Sequence, residues 1–232
     1  MARDGLAAVA LPVPNYGIDN DRLLVRDGIV AALQRRWDGR YAVDEFGGDP
    51  HLQDLLLAPV LGRVPLHVDG AAHLPRDEAA LLVVNRSPGF AEPFVLSSAV
   101  QREVGRRLRI VGLPSPPFLG VLTHKLGGVG RRPGDVAAVL RAGHLAVAPL
   151  AASVVAPGAG EAPRAVIGAT LGFPLLPVAV APGGPLGLPV RPWRVTVGAP
   201  LTAPEGAEPG DPLAAAELAE QVRAAIEEML RG

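Results

Sequence analysis

The chain has 232 residues, 49% of them hydrophobic, with 22 basic against 23 acidic side chains and a formal net charge of -1. That length buries a core of ordinary size, which favours one domain with a small appendage, and the balanced charge supplies no global field toward nucleic acid or an anionic bilayer. There is no cysteine, which excludes disulfides, thiolate nucleophiles and cysteine-held metals and is compatible with a reducing cytosol.

Residues 1–20 read as a poorly ordered leader. Their short apolar run is interrupted by Pro12 and Pro14 and makes a poor signal peptide. From 21 to 62 the chain reads as an N-terminal helical layer. Leu23, Val30, Leu33 and Trp37 fall on one helical stripe, with Asp19 or Asn20 as cap. Arg22, Arg26, Arg35 and Arg36 surround that stripe, so the helix could lie on a membrane surface, but the interspersed Asp21 and Asp27 favour a helix packed on the domain. Leu52, Leu55, Leu56 and Val60 give a second helical stripe after the loop "GRYAVDEFGGDP".

At Arg63 the period changes. "RVPLHVDG" alternates as a strand, and "AALLVVN" is a continuous apolar run suited to the middle of a sheet. "EPFVLSSAVQREVGRRL" reads as a helix, "RIVGL" as a strand, and "FLGVLTHKLGG" as a helix closed at Gly127 and Gly128. The second half repeats this grammar: helix "RPGDVAAVLRAG", strand "HLAVAPLA", helix "GEAPRAVIGATLG", strands "FPLLPVAVAP" and "WRVTVGAPL", and an amphipathic C-terminal helix from Pro212. The uncharged run 165–190 is long enough to cross a bilayer, but its five prolines would leave the backbone unsatisfied in lipid, so it reads as buried strands. Alternating strands and helices over 63–232 predict an α/β domain, a mixed, mostly parallel sheet flanked by helices.

From Arg63 to Pro200 the order of these phrases resembles the glycerophospholipid acyltransferase superfamily, whose members acylate glycerol-3-phosphate or lysophosphatidic acid from acyl-CoA or acyl carrier protein. "VPLHVDGAAHLPRDEAALLVVN" looks like the strand, G-x-x-x-x-P turn and strand that lead to its catalytic motif. "HKLGGVGRRPGD" resembles the block that ends in an arginine, "LRAGHLAVAPLAAS" the block around Phe-Pro-Glu-Gly, and "TLGFPLLPVAV" the G-x-P-x-x-P-V block. "GRYAVDEFGGDP" is similar to a phrase that precedes the acyltransferase domain in one bacterial branch.

The resemblance implies a base and an orienting carboxylate in the spacing His-x-x-x-x-Asp directly after Asn85. This chain has Arg86 at the histidine position and Ala91 at the aspartate position. A guanidinium keeps its proton throughout the range in which proteins work, so Arg86 is no general base, and Glu92, one residue on, is placed to pair with it instead. In the second block Leu150 stands where the family has glutamate and Ser153 where it has arginine. What is retained is cationic: Arg131 or Arg132 matches the family's phosphate-contacting arginine, with Lys125 near in sequence, although an Arg-Arg pair equally suits a solvated turn.

These departures lead to the expectation of a pseudoenzyme that binds a lipid, an acyl group or a protein. The partners expected are acyl-CoA, acyl carrier protein or a lysophospholipid, or a partner acyltransferase; no nucleic acid, cofactor or metal is expected. One alternative is an active acyl-CoA- or acyl-carrier-dependent transferase whose base has moved to His124 or His144. Another is a peripheral membrane module. The expected location is the cytoplasm, at the inner face of the membrane. Asn85-Arg86-Ser87 also satisfies a glycosylation sequon, an incidental match without a secretion signal.

Overall fold

The computed structural model describes residues 34, 37, 38, 43–50, 52, 53, 64–85, 91–113, 120–150, 161–184 and 191–231. The chain divides into two compact units, 1–42 and 43–232. In the first, the helical stripe of residues 21–37 lies outside the described residues except at its end, where Trp37 is 90% exposed. The second unit begins at Val43, upstream of the change of period at Arg63.

Seven strands form one sheet: β1 (Leu66–Asp69), β2 (Ala80–Val84), β3 (Leu108–Val111), β4 (Gly128–Val129), β5 (Leu145–Pro149), β6 (Leu175–Ala181) and β7 (Trp193–Val197). Among the described residues the helices that accompany them are α1 (Glu92–Val104), α2 (Gly120–Lys125), α3 (Pro133–Arg141), α4 (Glu161–Ala169) and α5 (Pro212–Arg231). The strand order is β1-β7-β6-β2-β5-β3-β4. All neighbours are parallel except β6 and β7, so the β1–β7 pair runs opposite to the other strands. The sheet is mixed and mostly parallel, as the alternation of elements predicts. The two-residue β4 carries too little sequence to be read in advance. No described helix is long and apolar enough to cross a membrane; the uncharged run 165–190 contributes the end of α4 and then β6.

The central strand β2 is buried at every position, because both sheet faces are covered. Leu81 and Val83 point to the face packed by α3, α4 and α5, through Val139, Leu140, Ile167, Leu218, Val222 and others. Ala80, Leu82 and Val84 point to the face packed by α1 through Val95, Leu96 and Val100. A buried Leu or Val stabilises by about 1.5–3 kcal/mol relative to exposure. That is why "AALLVVN" is an unbroken apolar run and not an alternating one.

The ends of these elements are set by local chemistry. Pro93 lies in the first turn of α1 and Gly105 closes the helix at φ 70°. The Asp211 carboxylate accepts the backbone N–H groups of Leu213 and Ala214 to cap α5. Gly70, in the turn between β1 and β2, sits at φ 70°, and a Cβ there would strike the Val197 carbonyl oxygen. Glycine is what lets this turn close against the end of β7. At the β1 edge, the Arg102 guanidinium donates to the Leu66 carbonyl, while His67 and Asp69 pair outward at 3.1 Å.

The segment 43–53 is fastened to the sheet. Asp44 binds Arg109 of β3 at 2.5 Å, and the Arg109 side chain is only 6% exposed. Phe46 lies under the same guanidinium at 5.5 Å and meets the His144 ring edge-on. His144 is bonded to Glu45 at 2.9 Å. Asp49, fully buried, caps the helical turn that starts at Pro50 by accepting the Leu52 N–H, and its own N–H donates to the Lys125 carbonyl.

Removing the Asp44 carboxylate strands a buried guanidinium, which costs about 3–5 kcal/mol where no other group compensates. Asp44→Ala is therefore expected to lower the urea midpoint strongly, and Arg109→Met added to it should recover part of the loss. A single-variant midpoint within error of an exposed-site control such as Glu228→Ala would count against this fastening.

Candidate functional site

In parallel sheets, ligand sites form beyond the carboxyl ends of the strands. Here that end is marked by the residue after β2. The Asn85 side chain donates through Nδ2 to the Val180 carbonyl at 3.0 Å and accepts the Val180 N–H at 2.7 Å through Oδ1. One side-chain amide thus continues the β2–β6 ladder by a residue after the backbone of β2 has turned away. Both of its polar atoms are engaged, so the sequon's asparagine serves the sheet. Nothing in the local sequence signals this role, because the partner, Val180, lies 95 positions away.

Arg86 lies outside the described residues, as do Ser87, Pro88, Gly89 and Phe90. Ala91 occupies the N-cap position of α1, where its carbonyl accepts the N–H groups of Phe94 and Val95 and its side chain packs against the α1-side core. Glu92 follows in the first turn and is 5% exposed, where the partial positive charge of the helix end favours a carboxylate. Leu150 donates its N–H to the Val84 carbonyl at 2.8 Å and packs against the core on the α3–α5 side. The position where the resemblance places a glutamate is thus occupied by a packing residue. Ser153 lies outside the described residues.

The two histidines singled out from the sequence part company. Leu145 is level with Ala80, so His144 is level with Ala79, six residues before Asn85 along parallel strands. At about 3.3 Å per residue the separation is ~20 Å. His144 stands at the opposite end of the sheet with Glu45 as its partner, and it is no base for chemistry beyond β2. The reason is topological: the residue before a parallel strand and the residue after its neighbour lie at opposite ends. Its carboxylate partner comes from the segment before the sheet, beyond any local spacing.

His124 does lie at the carboxyl end. Val111 is level with Val129, which brings Arg131 to about the level of Asn85, three strands away, or ~14 Å at about 4.8 Å per strand. At the carboxyl ends of β3 and β4 lies an open cleft of about 260 Å³ lined by Gly112, Leu113, Thr123, His124, Gly128, Val129, Gly130 and Arg131. His124 Nδ1 is 3.1 Å from the Gly128 carbonyl oxygen; a carbonyl only accepts, so this contact needs a proton on Nδ1, and in the neutral ring Nε2 is then the acceptor. Arg131 donates to the Gly112 carbonyl at 3.2 Å. Its side chain lies across Gly112, where a Cβ would strike Nε, and Gly112 is at φ 67°.

The other two cations are placed differently. Arg132 is the exposed N-cap residue of α3, its carbonyl accepting the N–H groups of Asp135 and Val136. Lys125 ends α2, and its carbonyl accepts from Asp49 and from Gln53 Nε2. Of the cations matched by the resemblance, Arg131 is the one that lines the cleft. The glycine-rich spelling "GGVGRR" signals it only indirectly, since Gly112, its seat, lies 19 residues upstream. Among the described residues no group of three or more histidine, aspartate or glutamate side chains could hold a metal ion.

These features define an α/β domain with a mixed seven-stranded sheet and a cationic, histidine-bearing cleft at its carboxyl edge. Over 150 residues the chain is 30% identical to proteins described as uncharacterized from Mycobacterium bovis and from two strains of Mycobacterium tuberculosis, a match that takes in 60% of this chain and 42% of theirs. The chain therefore spans less than half the length of the curated relatives it matches. No protein-family model matches the chain, and no solved structure matches it.

If Gly112 is the seat of Arg131, Gly112→Ala should displace the guanidinium and strain the backbone by about 1 kcal/mol. Gly134→Ala, at a site with open space around it, is the control. A crystal structure of Gly112→Ala with Arg131 unmoved would refute the seating.

Proposed function

We propose that this domain is a catalytically degenerate relative of the glycerophospholipid acyltransferases, one that binds an acyl or phospholipid-like ligand or a protein partner without transferring the acyl group. The observation that carries this reading is the junction after β2. Asn85 is consumed by the sheet, Ala91 is a packing residue at the helix start, and the residue between them that should take a proton is an arginine. Acyl transfer to a hydroxyl needs a group that accepts the hydroxyl proton near neutral pH, and a guanidinium does not. Leu150 supports the same reading, because a hydrocarbon side chain cannot engage an acceptor hydroxyl.

What supports retained binding is the cleft beside Arg131. A guanidinium held by a backbone carbonyl is pre-oriented, so less side-chain entropy is lost when it meets an anion. The alternative, an active transferase with a relocated base, rests on His124, whose Nδ1 contact leaves Nε2 able to accept a proton. Contact with the inner face of a membrane through the helix ending near Trp37 is a third reading, motivated by the exposure of that side chain.

Purified full-length protein mixed with labelled acyl-CoA and lysophospholipid tests these readings together. Saturable binding of either probe without acylated product is the expected result. Product formation that disappears in His124→Ala would replace the first reading with the second. Neither binding nor turnover would remove the lipid ligand.

A further inference from the structure

The cleft at the carboxyl ends of β3 and β4 holds two groups of complementary character, both on exposed residues and each tethered by one hydrogen bond to a backbone carbonyl. Arg131 is tied to the Gly112 carbonyl and presents donors and a positive charge. His124 is tied through Nδ1 to the Gly128 carbonyl, and Nε2, the other ring nitrogen, has no hydrogen-bond partner among the described residues. In a neutral ring that donates through Nδ1, Nε2 is an acceptor. The two backbone carbonyls that hold these side chains belong to residues lining the same cleft, and glycine at both positions keeps the walls bare: a Cβ on Gly112 would strike Arg131, and one on Gly128 would lie 2.6 Å from the Thr123 carbonyl oxygen.

A ligand that satisfies both groups must bring an anionic acceptor for the guanidinium and a hydrogen-bond donor for the imidazole. We infer that His124 makes this cleft selective for small oxyanions that carry their own O–H, such as hydrogen phosphate or a phosphoryl group beside a hydroxyl, over oxyanions that carry none. The inference rests on the reading of the Arg131 cleft as a retained binding site, and it adds the discriminating group. Sulfate has the shape and charge of phosphate but no proton at neutral pH, so against it the Nε2 lone pair faces another lone pair. A donor-acceptor contact with a charged partner is thereby exchanged for a repulsive one, and a difference of this kind corresponds to about tenfold or more in affinity.

The test is calorimetric titration of the full chain with inorganic phosphate and with sulfate at about pH 8, where an imidazole is neutral and hydrogen phosphate still bears one O–H. The wild-type protein is expected to bind phosphate about tenfold more tightly than sulfate. His124→Phe should bring the two anions within about twofold of each other, and Arg131→Met should weaken both. Ring chemical shifts of His124 in the wild type, followed by NMR, should move with phosphate; this readout does not depend on the folding of either variant. Repeating the competition with phosphatidylcholine vesicles, with and without phosphatidic acid, separates a soluble phosphate from a lipid headgroup; displacement by the acidic vesicles assigns the headgroup, and its absence assigns the free anion. Equal affinity for phosphate and sulfate in the wild type, selectivity unchanged in a folded His124→Phe, or no binding of either anion would each overturn the inference. Because these probes contain no acyl chain, such a failure is distinct from failure of acyl-CoA or lysophospholipid binding.

Discussion

In a strand buried on both faces a polar side chain is costly unless a partner meets it, so a strand without such a partner presents polar groups only at its ends. β2 is such a strand, and its burial at all five positions forces chemistry, if any, to its carboxyl end. There the chain must also satisfy the backbone of β6, which runs on past the end of β2. The Asn85 amide does this by standing in for a peptide group, offering one donor and one acceptor to Val180. Beyond that amide, Ala91 packs against the α1-side core at the start of α1.

A second dependence links the segment before the sheet to the sheet itself. Arg109 lies within β3, where a charge would ordinarily be costly, and it is tolerated because Asp44 and Phe46 meet it on two sides. The phrase "VDEFGGDP" is therefore part of the domain's packing. Asp44 pairs with Arg109, Glu45 pairs with His144, Phe46 fills the space between those two partners, and Asp49 starts a helical turn. The result is a polar and aromatic seal at one margin of a mostly aliphatic core.

The alternation of strands and helices was legible because burial writes period into sequence. β2, β5 and β6 are apolar runs because both of their faces are covered, and α5 shows its stripe because only one of its faces is. The antiparallel pairing of β6 with β7 left no comparable mark, since the burial pattern of a strand does not depend on the direction in which it runs. The site was half legible. Arg86 and Ala91 could be placed against a motif by counting from Asn85, and Arg131 could be picked from its block. The Nδ1 contact of His124, the Gly112 seat and the pairing of His144 with Glu45 join residues separated by loops or by 99 positions, and no local period carries that information. His144 in particular lies close to a motif block in sequence while facing the wrong end of the sheet in space.

Both margins of the sheet are ill suited to accept a further strand. On one side β4 offers two residues before the chain turns off into Gly130 and α3. On the other, β1 has its first carbonyl occupied by Arg102 and carries His67 and Asp69 on its exposed positions. Short length, a capped acceptor and outward charge are the devices by which sheets avoid templating their own stacking. A chain rich in aliphatic strands is by these means less prone to edge-to-edge pairing than one with a flat, bare margin.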